Sequence, residues 1–301
     1  MIFKRIFLSL FFLVLTMLIL VSICYGLMVR TWNANWPEWA IRVIPFTISI
    51  AFLALFKHKF LKTILKIQFE DQRLTRQLTR LLFIGLPILI TLLFSPLTQS
   101  IKYNLGNVLT LNSINELKAN QSPAFLQLND WYVDRMRVIP LRTLSPPNLF
   151  KWNTYRVSLL FIVPIFSNQD AYKSYAKAWL SFEYIQEFSK QEMQEGLDDE
   201  FVNGSMTHFK RLDIREFRYL ELIGRNEHYN TFIRMAQVHN YFKSGFGTVY
   251  KGQEVDRDIL SAHFFKYFLF LCALVGLPSL LIISGIFMFL IKRNGNNSEL
   301  N

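Results

Sequence analysis

Four almost purely apolar runs, Ile6 to Met28, Ile41 to Phe56, Leu81 to Leu97 and Tyr267 to Ile291, restrict this chain more than any other feature. A hydrocarbon layer about 30 Å thick takes roughly 20 helical residues at about 1.5 Å rise, with about 17 to 25 in use. The first and last runs exceed that need. The second and third are 16 and 17 residues, and the second carries Arg42 near its start, so a buried core helix or a re-entrant segment competes with a span for each. The expectation is four spans, because 51% hydrophobic residues and 29 Phe are more than a soluble core of this size consumes.

Lys4 and Arg5 ahead of the first run also suit a secretory signal peptide. That run is 23 residues, against roughly 7 to 15 for a signal core. Its small-x-small triplets, Ser22-Ile23-Cys24 and Cys24-Tyr25-Gly26, lack the usual Ala, and bulky Ile23 before Cys24 is a poor lipoprotein cleavage site. A retained signal anchor is expected. Both cysteines, Cys24 and Cys272, fall in expected spans, where a thiol packs as a small apolar residue. The rest of the chain then holds no thiol for a disulfide or a cysteine metal site, and no cofactor is expected.

A formal charge of +11 would suggest a nucleic-acid partner if it collected on a soluble face. It does not. Residues 99–260 hold 19 Lys and Arg against 18 Asp and Glu, a net of +1, which leaves +10 in and beside the apolar runs. The expected partner is the lipid bilayer, with a membrane or periplasmic protein as a further candidate and no nucleic acid.

The stretch Lys57 to Arg80, KHKFLKTILKIQFEDQRLTRQLTR, holds seven basic residues against Glu70 and Asp71. Lys4 and Arg5 precede the first run, and Lys292 and Arg293 follow the last. Short basic loops stay in the cytoplasm. Four spans place all three clusters on that side, and deleting any one span breaks the agreement. The expected fold class is therefore membrane α-helical, with four transmembrane helices and an α+β extracytoplasmic domain inserted between the third and fourth. Residues 1–98 form three spans with the basic cytoplasmic loop at 57–80, residues 99–260 the outer domain, and residues 261–301 the fourth span and a short cytoplasmic tail. Both termini are cytoplasmic. Taking the chain as bacterial, the membrane is the inner one and the outer domain is periplasmic.

Within the basic stretch Phe60, Leu61, Ile64 and Leu65 share a helical face, with Lys59, Lys62 and Lys66 opposite. That is the pattern of a helix resting on anionic headgroups and makes these lysines candidate membrane-surface residues. Trp32, Trp36 and Trp39 suit an interfacial belt, and Arg42, four residues after Glu38, is shallow enough to snorkel. The runs contain no Asp or Glu and no midplane Lys or Arg, which argues against transport by this chain alone. Pro45, Pro87 and Pro278 are positioned to kink three of the spans.

In the outer domain Ile101, Leu105, Val108 and Leu109 recur at helical spacing, so a helix is expected to continue from the third span. Arg156 to Phe166 reads as a strand buried on both faces, ending near Val163 or lying at an edge because Pro164 cannot donate to a ladder. Ala178 to Phe188 alternates, with Leu180, Phe182 and Tyr184 on one face. Ser189 and Glu192 have capping-box spacing for a helix to about Lys210, weakened at Gly196 and Asn203-Gly204. Glu216 to Ile223 reads as a strand and Glu227 to Phe242 as an amphipathic helix with Tyr229, Phe232, Ile233 and Ala236 inward.

Chemistry is sparse. SGFGTVYKGQ, Ser244 to Gln253, echoes a kinase glycine loop but has Tyr250 in place of the third glycine, and the other kinase and phosphate-loop motifs are missing; a flexible tether is expected. Ser205 and His208 have nucleophile–base spacing, but such pairs arise often by chance. His228 and His239 lie eleven residues apart, about 16 Å along a helix, too far to share one ion. Glu183 and Glu187, with Asp198, Asp199 and Glu200 nearby, admit a paired-carboxylate site, though acidic runs are usually solvated.

Asn129 to Arg142, NDWYVDRMRVIPLR, is the most distinctive stretch. Trp131, Tyr132, Arg135 and Arg137 are residue types that dominate binding hot spots, and they are the candidate partner-binding residues. The competing reading puts the aromatics in the core and pairs the arginines with Asp130 and Asp134. The expected function is partner or ligand binding by an accessory, sensing or structural component of a cell-envelope system. The alternative is a membrane-anchored enzyme with a periplasmic active site.

Overall fold

The apolar runs become helices longer than the runs themselves. In the computed structural model, which describes residues 2–32, 38–65, 72–147, 153–167, 175–224 and 228–298, α1 is Ile2–Trp32, α2 is Glu38–Leu65 and α3 is Gln72–Leu105. The basic residues through 65 prolong α2 and those from 72 open α3, so the described part of this stretch belongs to those two helices. Lys66, Trp36 and the side chains of Glu38, Lys59 and Lys62 lie outside the described residues.

The chain forms two compact units, Met1–Gly106 with Arg257–Asn301, and Asn107–Asp256. The second unit is an eight-stranded mixed sheet with a hydrophobic cluster on each face. Its strands are β1 (Val108–Ser113), β2 (Phe125–Asp130), β3 (Tyr132–Val133), β4 (Ile139–Ser145), β5 (Thr154–Phe166), β6 (Ala178–Ser189), β7 (Tyr219–Leu222) and β8 (Val249–Gln253). They lie in the order β1-β2-β7-β8-β6-β5-β3, with β4 also pairing β5. Between them come α4 (Lys190–Gln194), α5 (Leu197–Arg211) and α6 (Tyr229–Gln237).

β5 is the strand buried on both faces. Leu159, Phe161, Val163 and Ile165 join one cluster with α5, while Leu160, Ile162 and Phe166 join the other with α6. The expectation that this strand ends near Val163 or lies at an edge is corrected, because it runs on through Pro164 and is flanked on both sides. Pro164 faces Trp179 on β6, but the Trp179 amide donates the other way, to Thr248 O. The pair is thus a non-hydrogen-bonded one. On the opposite side Pro164 meets the break between β3, whose last partner is Ile165, and β4, whose first partner is Ile162. No ladder bond needs the missing N–H there.

Three other expectations change. Val108 and Leu109 open β1 rather than extending α3, since parallel pairing with Phe125 and Leu126 outweighs their helical spacing. Glu216 ends a 3-10 turn, and the strand after it starts only at Tyr219. Ser244 to Gln253 is no tether, because Val249–Gln253 forms β8 between β7 and β6 in mid-sheet, with Tyr250 fully buried.

The capping box forms as the spacing requires: the Glu192 amide donates to Ser189 Oγ at 3.3 Å, and the Ser189 amide donates to Glu192 Oε2 at 2.6 Å. The helix it starts is brief, because Gly196 adopts a left-handed φ of 80° and separates α4 from α5. Hydrogen bonds from Ser189 hold the Glu192 carboxyl below its usual range. Ser189→Ala is expected to cost about 1 kcal/mol at neutral pH. The Glu192 contribution is full above the unfolded carboxyl pKa of about 4.3 and fades as pH falls through the lower folded value. Urea melts at about pH 7 and pH 3 should therefore show a smaller gap between wild type and variant in acid.

The first unit is completed by α7 (Arg257–Leu271), a π-helical stretch (Cys272–Gly276) and α8 (Leu277–Ser298). Three stretches, Phe3–Thr31, Thr79–Leu105 and Arg257–Leu290, are long and apolar enough to cross a membrane, while the apolar part of α2, Trp39–Leu55, is shorter. Leu10, Met17 and Val21 of α1 pack with Leu86, Ile90 and Phe94 of α3 and Phe287 of α8. Phe12, Ile19, Ile84 and Ile282 remain exposed on these same helices. Helices apolar all round, with large side chains outward, suit lipid rather than water. Arg257 joins α7 to the end of α3 by donating from Nη2 to Tyr103 O at 2.6 Å and Gly106 O at 2.8 Å, which satisfies carbonyls that a helix terminus leaves open.

Candidate functional site

The segment Asn129 to Arg142 wraps the edge of the sheet where β3 and β4 both pair with β5. Five residues separate these strands, and their conformation is set from within: Asp134 Oδ1 accepts from the Met136 amide at 3.1 Å, which starts the 3-10 turn Arg135–Arg137. Asp134 Oδ2 lies 3.1 Å from Arg137 Nε.

The two arginines then anchor the turn to opposite faces. Arg135 donates from Nη1 to Lys210 O at 2.7 Å and from Nη2 to Leu212 O, with a longer contact to Phe209 O. A guanidinium at the last carbonyls of α5 satisfies open acceptors and complements the negative end of the helix dipole. Arg137 stacks over Tyr241, its Cζ 4.7 Å from the ring centroid. Its main-chain oxygen accepts from His239 Nε2 at 2.9 Å, while His239 Nδ1 accepts from the Tyr241 amide at 3.2 Å. These two bonds fit the neutral tautomer with its proton on Nε2.

Of the four residues singled out by type, Trp131 packs against the α5-side cluster and Tyr132 against the α6-side cluster. Arg135 and Arg137 hold the turn as described. Between them Met136 is 94% exposed, an apolar tip on a backbone fixed from both sides. Hot-spot statistics do not point to methionine ahead of its neighbours, and the signal that marks it, an Asp two residues earlier at the cap position, is visible only once the turn is known.

The other candidate groups are engaged elsewhere. His208 Nδ1 lies 2.9 Å from Tyr184 Oη, and among the described residues no hydrogen bond joins it to Ser205. His228, nearly buried, sits with Nε2 3.1 Å from Glu183 Oε1, an ion-pair distance outside hydrogen-bond geometry. Asp198, also buried, and Asp199 both pair with Arg142 on β4. Glu187 faces Arg156 across β5 and β6. Among the described residues no group of three His, Cys, Asp or Glu is placed to hold a metal ion.

A buried carboxylate on β7 with polar partners on β8 escapes the sequence reading because β8 itself does. Glu221, 2% exposed, lies 3.3 Å from Lys251 Nζ and accepts from Gln253 Nε2 at 2.5 Å. On the same strand Tyr250 is fully buried, and its hydroxyl has no hydrogen-bond partner among the described residues; burial pushes its pKa up.

The fold defines a class: a helical unit with three helices long and apolar enough to cross a membrane, and a mixed eight-stranded sheet unit whose edge turn exposes Met136. The chain matches no protein-family model, no curated protein and no solved structure.

Proposed function

We propose that this chain is a four-span protein of a bacterial inner membrane whose sheet domain lies in the periplasm and binds a membrane or periplasmic protein through the turn at Met136. The observation that carries the reading is the fixed apolar tip. Met136 projects from a turn held by Asp134, by Arg135 on the end of α5 and by Arg137 on Tyr241, so docking costs little ordering entropy.

The second of the four spans is α2, whose apolar part, Trp39–Leu55, covers about 26 Å at helical rise. The three basic clusters orient it with both termini in the cytoplasm. Reporter fusions after Lys66 and after Gly224 check this: the first should read cytoplasmic and the second periplasmic, and an outside signal at Lys66 overturns the topology.

For the binding function, tagged full-length protein extracted in mild detergent should copurify with a stoichiometric partner identified by mass spectrometry. Met136→Asp should lose that partner without lowering the melting temperature. A solitary monomer from the wild type, or retention of the partner by the variant, counts against the reading.

A further inference from the structure

A groove of about 750 Å³ runs between α2, α3 and α7 in the helical unit. Polar side chains converge on it from all three: Arg42 from α2, Thr91, Ser95 and Gln99 from α3, and Tyr267 from α7. Among the described residues Arg42 is the one formal charge in the lining; the groove bounded by Leu15, Ile19, Ile23 and Phe268 also reaches Arg30 but presents almost no polar surface.

The backbone adds acceptors at the same place. Pro45 and Pro96 lack the N–H that would bond the carbonyls of Ile41 and Leu92, each four residues earlier, and both of those residues line the groove. Thr91 is a further departure. Thr16, Thr31 and Thr47 each return the hydroxyl to a carbonyl one turn back at 2.8 Å. The Thr91 hydroxyl is buried and has no such partner among the described residues. Leu271, also in the lining, directly precedes the π-helical stretch, a local widening common at functional positions.

Polar groups in apolar helices are costly unless something meets them. Along α3 the groove runs from Gln99 to Ile88, eleven residues or about 16 Å apart, and Arg42 enters it from the second turn of α2. We propose that it binds one glycerophospholipid, with the phosphate on Arg42 and Gln99 and an acyl chain running past Leu92 and Ile88. A guanidinium matches a phosphate by charge-assisted hydrogen bonds, and the carbonyl of Ile41, next to Arg42, accepts from headgroup hydroxyl or ammonium donors. This inference is independent of the partner surface at Met136.

The test uses the full chain in detergent, incubated with phosphatidylglycerol, with a diacylglycerol of the same chains, or with glycerol phosphate, and read by native mass spectrometry. Phosphatidylglycerol should remain bound one to one, and neither the tails without phosphate nor the headgroup without tails should. Arg42→Gln should weaken retention about tenfold, the scale of one charge-assisted hydrogen bond. Leu92→Trp fills the apolar end from a side chain already 45% exposed and should block retention with Arg42 intact. Diacylglycerol retained as well as phosphatidylglycerol, glycerol phosphate binding by itself as tightly, or unchanged retention in Leu92→Trp each overturns the proposal. Arg42→Gln that keeps wild-type melting and wild-type retention does the same.

Discussion

Phe209→Ala is expected to destabilise the sheet domain by about 3–5 kcal/mol, the usual cost of deleting a fully buried aromatic. Phe209 is 1% exposed and stacks on Phe161 at 4.8 Å between centroids, with Phe182 edge-on at 5.0 Å. It is the residue by which α5 is seated on the sheet, and β5 and β6 beneath it cannot collapse into the space because each is paired on both sides. Its carbonyl, with those of Lys210 and Leu212, also receives Arg135. Loss of the α5 seat should therefore loosen the Met136 turn as well. Chemical denaturation of the full chain in detergent, followed by circular dichroism at a strand wavelength, measures the first effect. The control is Tyr250→Phe, similar in volume and burial. It removes a buried hydroxyl that has no partner among the described residues and should be neutral or slightly stabilising.

Gly252→Ala should cost about 1–3 kcal/mol although it adds one methyl group. A Cβ at this position meets Phe217 Cδ2 and Cε2 at 2.4 Å and Cγ at 2.6 Å. Contact with Cγ, the root of the ring, means that rotating the far end of the side chain gives no relief. The strand cannot retreat either, because β8 is held by β7 on one side and β6 on the other. In a Phe217→Ala background the same substitution should cost little, so the coupling between the two sites is the diagnostic quantity. Equal costs in both backgrounds would sink the argument that Gly252 is required for ring approach.

Elements dictated by near neighbours were legible in advance. The capping box at Ser189 and Glu192 involves residues three apart. The alternation that puts Leu180, Phe182 and Tyr184 on one side of β6 matches their shared cluster with Phe209, and the unbroken apolar run of β5 matches its burial on both faces. The inward face of α6 was readable in Phe232 and Ala236, although the helix begins at Tyr229 and ends at Gln237, short of Phe242. In the stretch Asn129 to Arg142, residue type singles out Trp131, Tyr132, Arg135 and Arg137, whereas exposure singles out Met136.

By itself the sequence determined that long apolar helices would form, that β5 and β6 would be strands and where α4 would start, because hydropathy, side-chain period and capping act within one or two turns of chain. Only the tertiary structure decided that Val249–Gln253 is a central strand, that Pro164 sits inside a paired one, and that Arg135 caps α5 while Met136 faces outward. Each of these depends on a group far away in sequence: Trp179 and Glu221 opposite β8, the break between β3 and β4 beside Pro164, and the Lys210 carbonyl, 75 residues from Arg135. A hydrogen bond across such a distance leaves no periodic trace in the residues that make it, so its outcome is fixed only when packing brings the partners together.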